Sequence, residues 1–349
     1  MTDLPQSQVG WLGTGRMGSM LVRRLLAAGL DVSVYNRTKA KAGPLAADGA
    51  KVVDRAADLA RARVVFVMVG TSQNLMDALL GPDGLLAGDE DAAPAIVIDL
   101  STVSVEASAA VRAGLAARGT QFLAAPVMGN PRVAAAGKLT FAVSGDPAAA
   151  AEARPYLDIL GAGASYVGPG EVARTVKLCH NLLLGVVMQS LSEVTMLAQK
   201  AGVSRQAFLA CINDSVMGSM FTRYKSPALV NLDFHATFTS ELLRKDFDLG
   251  LAAAREHEVP MPVAALVHQI VQGLVGNGYG QQDFATMIQL QARASGVELV
   301  SEDVDVPDGL EPASAAGARS DSTGSNINVS DSAVSDTAGS VNPASSSTA

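Results

Sequence analysis

Aromatic residues are scarce, at 4% of 349 positions, too few for the base-stacking platforms of single-strand binders or for a sheet built on aromatic cross-strand pairs. Basic charge is not concentrated either. The net charge is -8, but residues 301 to 349 hold eight acids and one arginine, so the body carries about -1. Without a basic stripe to neutralise phosphates, nucleic acid is excluded as a partner. Two cysteines, Cys179 and Cys211, cannot build a disulfide framework, which points to a reducing cytoplasm. The amino terminus MTDLPQSQ has no basic n-region, so no secretory signal is expected. Uninterrupted apolar runs such as VVFVMV at 64–69 fall far short of the ~18 to 20 residues that span a bilayer, so no membrane partner is expected. The histidines at 180, 235, 257 and 268 lack HExxH spacing and a cysteine cluster, so no metal is implied, and no GxSxG elbow occurs.

What is present is alternation. From residue 8 to about 168, short β-branched runs at 8–13, 31–35, 51–53, 63–69, 95–100, 121–127, 139–144 and 164–167 alternate with Ala-rich helical stretches. Several runs are apolar on both parities, as strands covered by helices on both faces are. The pattern predicts an α/β, Rossmann-like doubly wound parallel sheet over 1–169. From Glu171 to Ala201 the chain has no proline, one glycine and apolar residues nearly all round, which predicts one long buried helix. Further helical patterns at 204–213, 239–258, 261–275 and 283–294 make 170–299 an all-α domain. Beyond 300, Ser, Ala, Gly, Asp and Asn offer no periodic apolar face, so 300–349 reads as a disordered acidic tail.

The strand VGWL runs straight into Gly13, Thr14, Gly15, Arg16, Met17 and Gly18, and then into helical sequence. In that context Gly-x-Gly-x-x-Gly is a dinucleotide fingerprint. Gly13 permits the tight turn, Gly15 lets the pyrophosphate approach the backbone, and Gly18 lets helix and strand pack closely. The second strand ends in Asn36, Arg37 and Thr38, where an NAD site places a carboxylate on the ribose hydroxyls. A guanidinium there suits a 2′-phosphate, so NADP is expected rather than NAD. The alternative is that Arg37 only caps the next helix. Val69 and Gly70 after the fourth strand, and Thr102 after the fifth, sit at carboxyl ends facing the same crevice.

Oxidation of an alcohol needs a base for the hydroxyl proton. Lys177, His180 and Asn181 lie at i, i+3 and i+4 and share one face of the long helix. Burial beside a cationic nicotinamide would lower the lysine pKa towards neutrality. The competing reading is that Lys177 reaches out to solvent and His180 merely packs.

GTGRMG, NRT, DLST at 99–102, APVMGNPRVAAAGKLT at 125–140, GEVARTVKLCHN at 170–181 and KDFDLGLAAA at 245–254 occur in the order of the β-hydroxyacid dehydrogenase family. The chain resembles that family over about residues 8–292, including 3-hydroxyisobutyrate dehydrogenases and relatives of 6-phosphogluconate dehydrogenase. The resemblance implies Lys177 as catalytic lysine, Asn181 as the residue orienting substrate, and Lys245 with Asp246 as a pair close to nicotinamide and substrate. It also implies a homodimer or homotetramer built around the long helix.

Two departures stand out. The family commonly reads Pro-Val-Ser-Gly-Gly where this chain has Pro126, Val127, Met128, Gly129 and Asn130, so the serine hydroxyl of the substrate loop is gone. Amides at Gly129 and Asn130, or the Asn130 side chain, would then receive the substrate anion. The hydroxyisobutyrate branch usually reads Lys-x-x-Asn-Asn, whereas this chain has His180 before Asn181. The expected activity is NADP-dependent interconversion of a small 3-hydroxy acid, or related alcohol, and its semialdehyde or ketone. An imine reductase on the same scaffold and a non-catalytic dinucleotide-binding module stay open beside it.

Overall fold

The computed structural model describes residues 8–89 and 91–310. Nine strands form one sheet: β1 (Val9–Leu12), β2 (Val32–Tyr35), β3 (Lys51–Val52), β4 (Val64–Val67), β5 (Ile96–Asp99), β6 (Gln121–Ala124), β7 (Val127–Met128), β8 (Thr140–Ser144) and β9 (Gly163–Gly168). Their order is β3-β2-β1-β4-β5-β6-β8-β7, with β9 paired to β8. β1 lies between β2 and β4, parallel to both, so the crossovers diverge there and leave a crevice beyond the carboxyl ends.

The expected strand at 121–127 is broken. After β6 the chain passes Pro126, whose missing N–H ends the parallel ladder to β5, and β7 runs on in the direction of β6, both strands pairing antiparallel with β8. The sheet is therefore mixed at this edge, and the strand's continuation past Pro126 carries Met128, Gly129 and Asn130 to the cleft.

Helices α1 (Arg16–Ala27), α2 (Gly43–Ala47), α3 (Ser72–Leu80), α4 (Val105–Ala116), α5 (Pro131–Ala135) and α6 (Pro147–Leu160) flank the sheet. Trp11 and Phe66 stack at 5.3 Å between centroids inside this core, and Tyr156 meets Phe66 edge-on. Truncating such a buried ring costs roughly 3 to 5 kcal/mol.

The second half is helical: α7 (Val172–Lys200), α8 (Arg205–Asp214), α9 (Met220–Asn231), α10 (Ser240–Glu256), α11 (Pro262–Gly276) and α12 (Met287–Ala294). By length and composition α7 is the one described helix that would cross a membrane, yet half of its apolar window is buried inside the protein. It carries buried Arg174, Lys177, Asn181, Gln189, Ser192 and Thr195, which pack or bond within the protein. Helix α9 was not legible in the sequence, because Pro227 interrupts it. It forms because a reciprocal Ser219–Thr222 capping box satisfies its first amides.

Residues 300–310 correct the expected boundary of a disordered tail. Both Glu302 carboxylate oxygens accept backbone N–H bonds at the start of α8, Asn231 and Val304 exchange two bonds, and Leu310 is buried. Polar anchoring supplies what the missing apolar periodicity does not. Residues 1–7 and 311–349, the amino terminus and the rest of the expected tail, lie outside the described residues.

Candidate active site

The Gly-rich turn has the geometry of an anion cradle. Gly13 sits at φ +99°, and a Cβ there would lie 2.2 Å from the Met68 carbonyl oxygen. A Cβ on Gly18 would lie equally close to the Gly13 carbonyl oxygen, so helix and strand could not pack. Gly15, by contrast, faces open space and begins α1 without any side-chain cap, leaving the first-turn amides available to an anion. Asn36 braces this turn: its Oδ1 accepts from Thr14 N–H at 2.9 Å and its Nδ2 donates to the Thr38 carbonyl.

A cavity of about 620 Å³ runs from Gly13 and Gly15 past Asn36, Arg37 and Thr38 to Val69 and Gly70. Arg37 is exposed and, among the described residues, has neither a hydrogen bond nor an ion pair. Thr38 precedes the following short 3-10 helix, without a side-chain cap from either residue. Lys41, which the sequence reading missed, lines the same end of the cavity one turn along.

A second cavity of about 210 Å³ continues from Val69 and Gly70 between the sheet and helical halves. Arg16, Met17, Thr102, Asn130, Lys245 and Asp246 line it. A third, about 190 Å³, lies beyond, lined by Met128, Val133, Leu184, Met220, Phe221 and Tyr224. Gly129, Asn130, Lys177, Asn181 and Phe238 border both, so Lys177 stands at their junction.

Two devices put it there. Buried Arg174 runs under α7 and donates to Asp99, Ser101 and Ser108, pinning the first turn of α7 to the end of β5. Three residues further on, Lys177 projects into the cleft. On the other side, Gly185 and Gly250 allow α7 and α10 to touch: a Cβ on Gly185 would lie 2.5 Å from the Phe247 ring. That contact brings Asp246 to Asn181, whose Nδ2 donates at 2.5 Å.

Lys177 is 6% exposed, and among the described residues its Nζ has no hydrogen-bond or ion-pair partner. Burial pushes the amine down from the usual 10.5 to about 8; Asp246 opposes this and Lys245 adds to it. Lys245 Nζ donates to the Thr102 carbonyl at 3.1 Å and lies 3.3 Å from Asp246 Oδ1. His180 Nδ1 lies 2.9 Å from Asn181 Oδ1. With the amide fixed by Asp246, that oxygen accepts, so His180 donates from Nδ1 and keeps a lone pair at Nε2. Burial first, and Lys177 next, hold the imidazole pKa below its usual value, so it is neutral at pH 7.

Asn130 Oδ1 accepts from Val133 N–H and so caps α5, which fixes the amide orientation, and Nδ2, the side chain's only donor group, lies 3.5 Å from Thr237 Oγ1. Met128 packs against Ala124, Ala142 and Ala173 rather than presenting a polar group. The sequence also missed the 232–239 connection. Asp283, buried against Lys225, accepts from Thr237 N–H, its hydroxyl and Phe238 N–H, and so holds Phe238 over the cleft. No local motif announces a pairing across 58 positions.

Family models match both halves: the NAD-binding domain of 6-phosphogluconate dehydrogenase over 8–168, and the NAD-binding domain of NADP-dependent 3-hydroxyisobutyrate dehydrogenase over 172–291. The uncharacterised oxidoreductase YfjR of Bacillus subtilis is 33% identical over 81% of this chain and 99% of its own length. The chain belongs to the β-hydroxyacid dehydrogenase family. It is thus an oxidoreductase that uses a nicotinamide dinucleotide, and the uncapped α1 terminus with its open Gly15 fits that group. Glyoxylate/succinic semialdehyde reductase 2 of Arabidopsis thaliana is 29% identical, over 82% of this chain and 80% of that protein. A Mycobacterium tuberculosis 3-hydroxyisobutyrate dehydrogenase structure with L-serine superposes with TM-score 0.72 at 27% identity, covering 82% of this chain and 99% of that one. An imine reductase from a Pseudomonas species, at 21% identity and TM-score 0.53, shares the fold.

Proposed function

We propose that the protein is an NADP-dependent oxidoreductase interconverting a small 3-hydroxy acid, or related alcohol, and its semialdehyde or ketone. Lys177 is the proton acceptor and donor. The observation that carries this reading is the unpaired, buried amine of Lys177, near pKa 8, at the junction of the two inner cavities.

The nicotinamide dinucleotide, when bound, exchanges hydride with the substrate carbon. The α1 amides and Gly15 would hold its pyrophosphate, while Arg37 and Lys41, both without side-chain partners among the described residues, would hold a 2′-phosphate. Neutral Lys177 accepts the hydroxyl proton during oxidation, and its ammonium returns one during reduction. Asn181, fixed by Asp246, positions the substrate, and Lys245 lies beside them at the crevice wall. Neutral His180 accepts a hydrogen bond from substrate at Nε2. Backbone amides at Gly129 and Asn130 receive the carboxylate. The Met128, Leu184, Met220 and Phe221 lining favours a substrate with an apolar branch over a highly polar one.

We also propose that a second copy covers α7. Val172, Val176, Leu183, Val194 and Leu197 are exposed apolar residues falling on one stripe at ~100° per residue. Sedimentation of Leu183→Glu and Leu197→Glu against the parent tests this; equal masses would remove the proposal. Cys179 and Cys211 are free exposed thiols, which supports a reducing compartment.

The activity is tested by an absorbance screen of NADP reduction across 3-hydroxy acids and alcohols, with NADPH oxidation by aldehydes and cyclic imines in parallel. Turnover of an imine and of no hydroxy acid or aldehyde would overturn the assignment.

A further inference from the structure

We propose that Asp308, in the segment following α12, is a positioning residue for the substrate loop: with Gly309 it straps α5 and its flanks to the helical half of the protein. The idea rests on the reading of Gly129 and Asn130 as the substrate's anion site. The strap lies beyond residue 291, where the second family model ends.

The strap is anchored at both ends. At its start, the Val300 carbonyl accepts from Arg205 Nη2 at 2.5 Å, the Glu302 carboxylate accepts from Arg205 and Gln206 N–H, and Asn231 and Val304 exchange two bonds. This fixes residues 300–304 to α8 and α9. At its end, Asp308 Oδ2 pairs with Arg132 Nη2 at 2.6 Å and the Gly309 carbonyl accepts from Lys138 Nζ at 2.9 Å. Leu310 then enters the apolar cluster of the sheet half.

Of the two sheet-side anchors, Arg132 lies in α5, a helix of five residues, and Lys138 lies just beyond its end. So short a helix does not hold itself, since nucleation is unfavourable and little propagation follows. Asn130 caps it, Arg132 lies within its first turn, and Lys138 follows it and lines the substrate cavity. The strap therefore supplies from outside the order that α5 lacks within. An exposed ion pair contributes little to global stability, and Arg132 is half-exposed, so the effect belongs in the loop's conformational population. If release leaves the loop competent ~10 to 20% of the time, apparent substrate affinity falls by about five- to tenfold.

The test compares the parent with Asp308→Ala and with the charge exchange Arg132→Asp/Asp308→Arg in the full chain. Kinetics with the best substrate and hydrogen exchange of amides 129–138 are both measured. Asp308→Ala is expected to raise substrate KM about five- to tenfold and speed that exchange, with kcat within twofold and NADPH affinity unchanged; the charge exchange restores both. Unchanged KM and exchange in Asp308→Ala would overturn the strap while leaving the site reading intact. A parallel fall of kcat, NADPH affinity and melting temperature, unrescued by the exchange, would show a merely structural role and also overturn it. If the parent turns over no hydroxy acid, the site reading fails, and exchange rates alone decide the strap.

Discussion

Replacing Lys177 with methionine should disable the enzyme and stabilise the fold at once, because the same burial that tunes the amine also penalises its charge. Methionine is similar in length and fills the site without a polar atom. The fall from 10.5 to about 8 corresponds to about 3 kcal/mol, on the scale of 1.36 kcal/mol per pKa unit. Below pH 8 the ammonium is buried in the native state and solvated in the unfolded one, so the full penalty is present. Between pH 8 and 10.5 only the unfolded state stays protonated, so parent stability rises with pH and the penalty fades. Urea unfolding of parent and Lys177→Met should therefore differ most at pH 6 to 7, by up to about 3 kcal/mol in the variant's favour, beyond any constant packing difference. The difference should shrink to that constant near pH 10.5. Turnover should fall by about 100-fold or more, the scale of general acid–base catalysis, with NADPH binding preserved. A stability difference that does not vary with pH would show that Lys177 is solvated, and the argument for a tuned base would collapse.

The pH profile supplies an opposed pair of tests. Oxidation should rise with pH through about 8 as Lys177 loses its proton, and reduction should fall over the same range. Asp246→Asn removes a charge that raises the Lys177 pKa, so its profile should move to lower pH; Lys245→Gln removes one that lowers it, so its profile should move higher. Equal movement in one direction would contradict the electrostatic assignment. Arg37→Ala and Lys41→Ala should each weaken NADPH about tenfold more than NADH by fluorescence titration, and equal losses would undo the cofactor preference. Met128→Ser restores the hydroxyl the family commonly has, and substrate KM should drop for small polar hydroxy acids relative to branched ones. Gly185→Ala should lower stability by about 1 to 3 kcal/mol through the Phe247 clash, read as a lower urea midpoint.

Local signals in the sequence were strong wherever one side chain or one period does the physical work. Gly13 at positive φ and the clash a Cβ on Gly18 would make with the turn leave no freedom of residue type, so the dinucleotide turn was readable. The helix Val172–Lys200 was readable too, because its apolar run and its Gly202 stop are local. The i, i+3, i+4 spacing already put Lys177, His180 and Asn181 together, though not whether the amine was buried or reached solvent. Helix α9 was lost behind Pro227, and with it Phe221 and Tyr224 of the third cavity. Composition misplaced the start of the tail, since the bonds of Glu302 and Asp308 have partners far away in sequence.

The sequence by itself determined the two-part architecture, the dinucleotide turn and the shared face of Lys177, His180 and Asn181, because backbone sterics and helical periodicity act over a few residues. Only the tertiary structure decided that Lys177 is buried in the cleft without a partner among the described residues, that the Asn130 oxygen caps α5, that Phe238 lines the cleft, and that residues 300–310 are tied to α8, α9 and the α5 region. Desolvation, and hydrogen bonds between distant residues, depend on which surfaces the fold brings together, and no window along the chain contains that information.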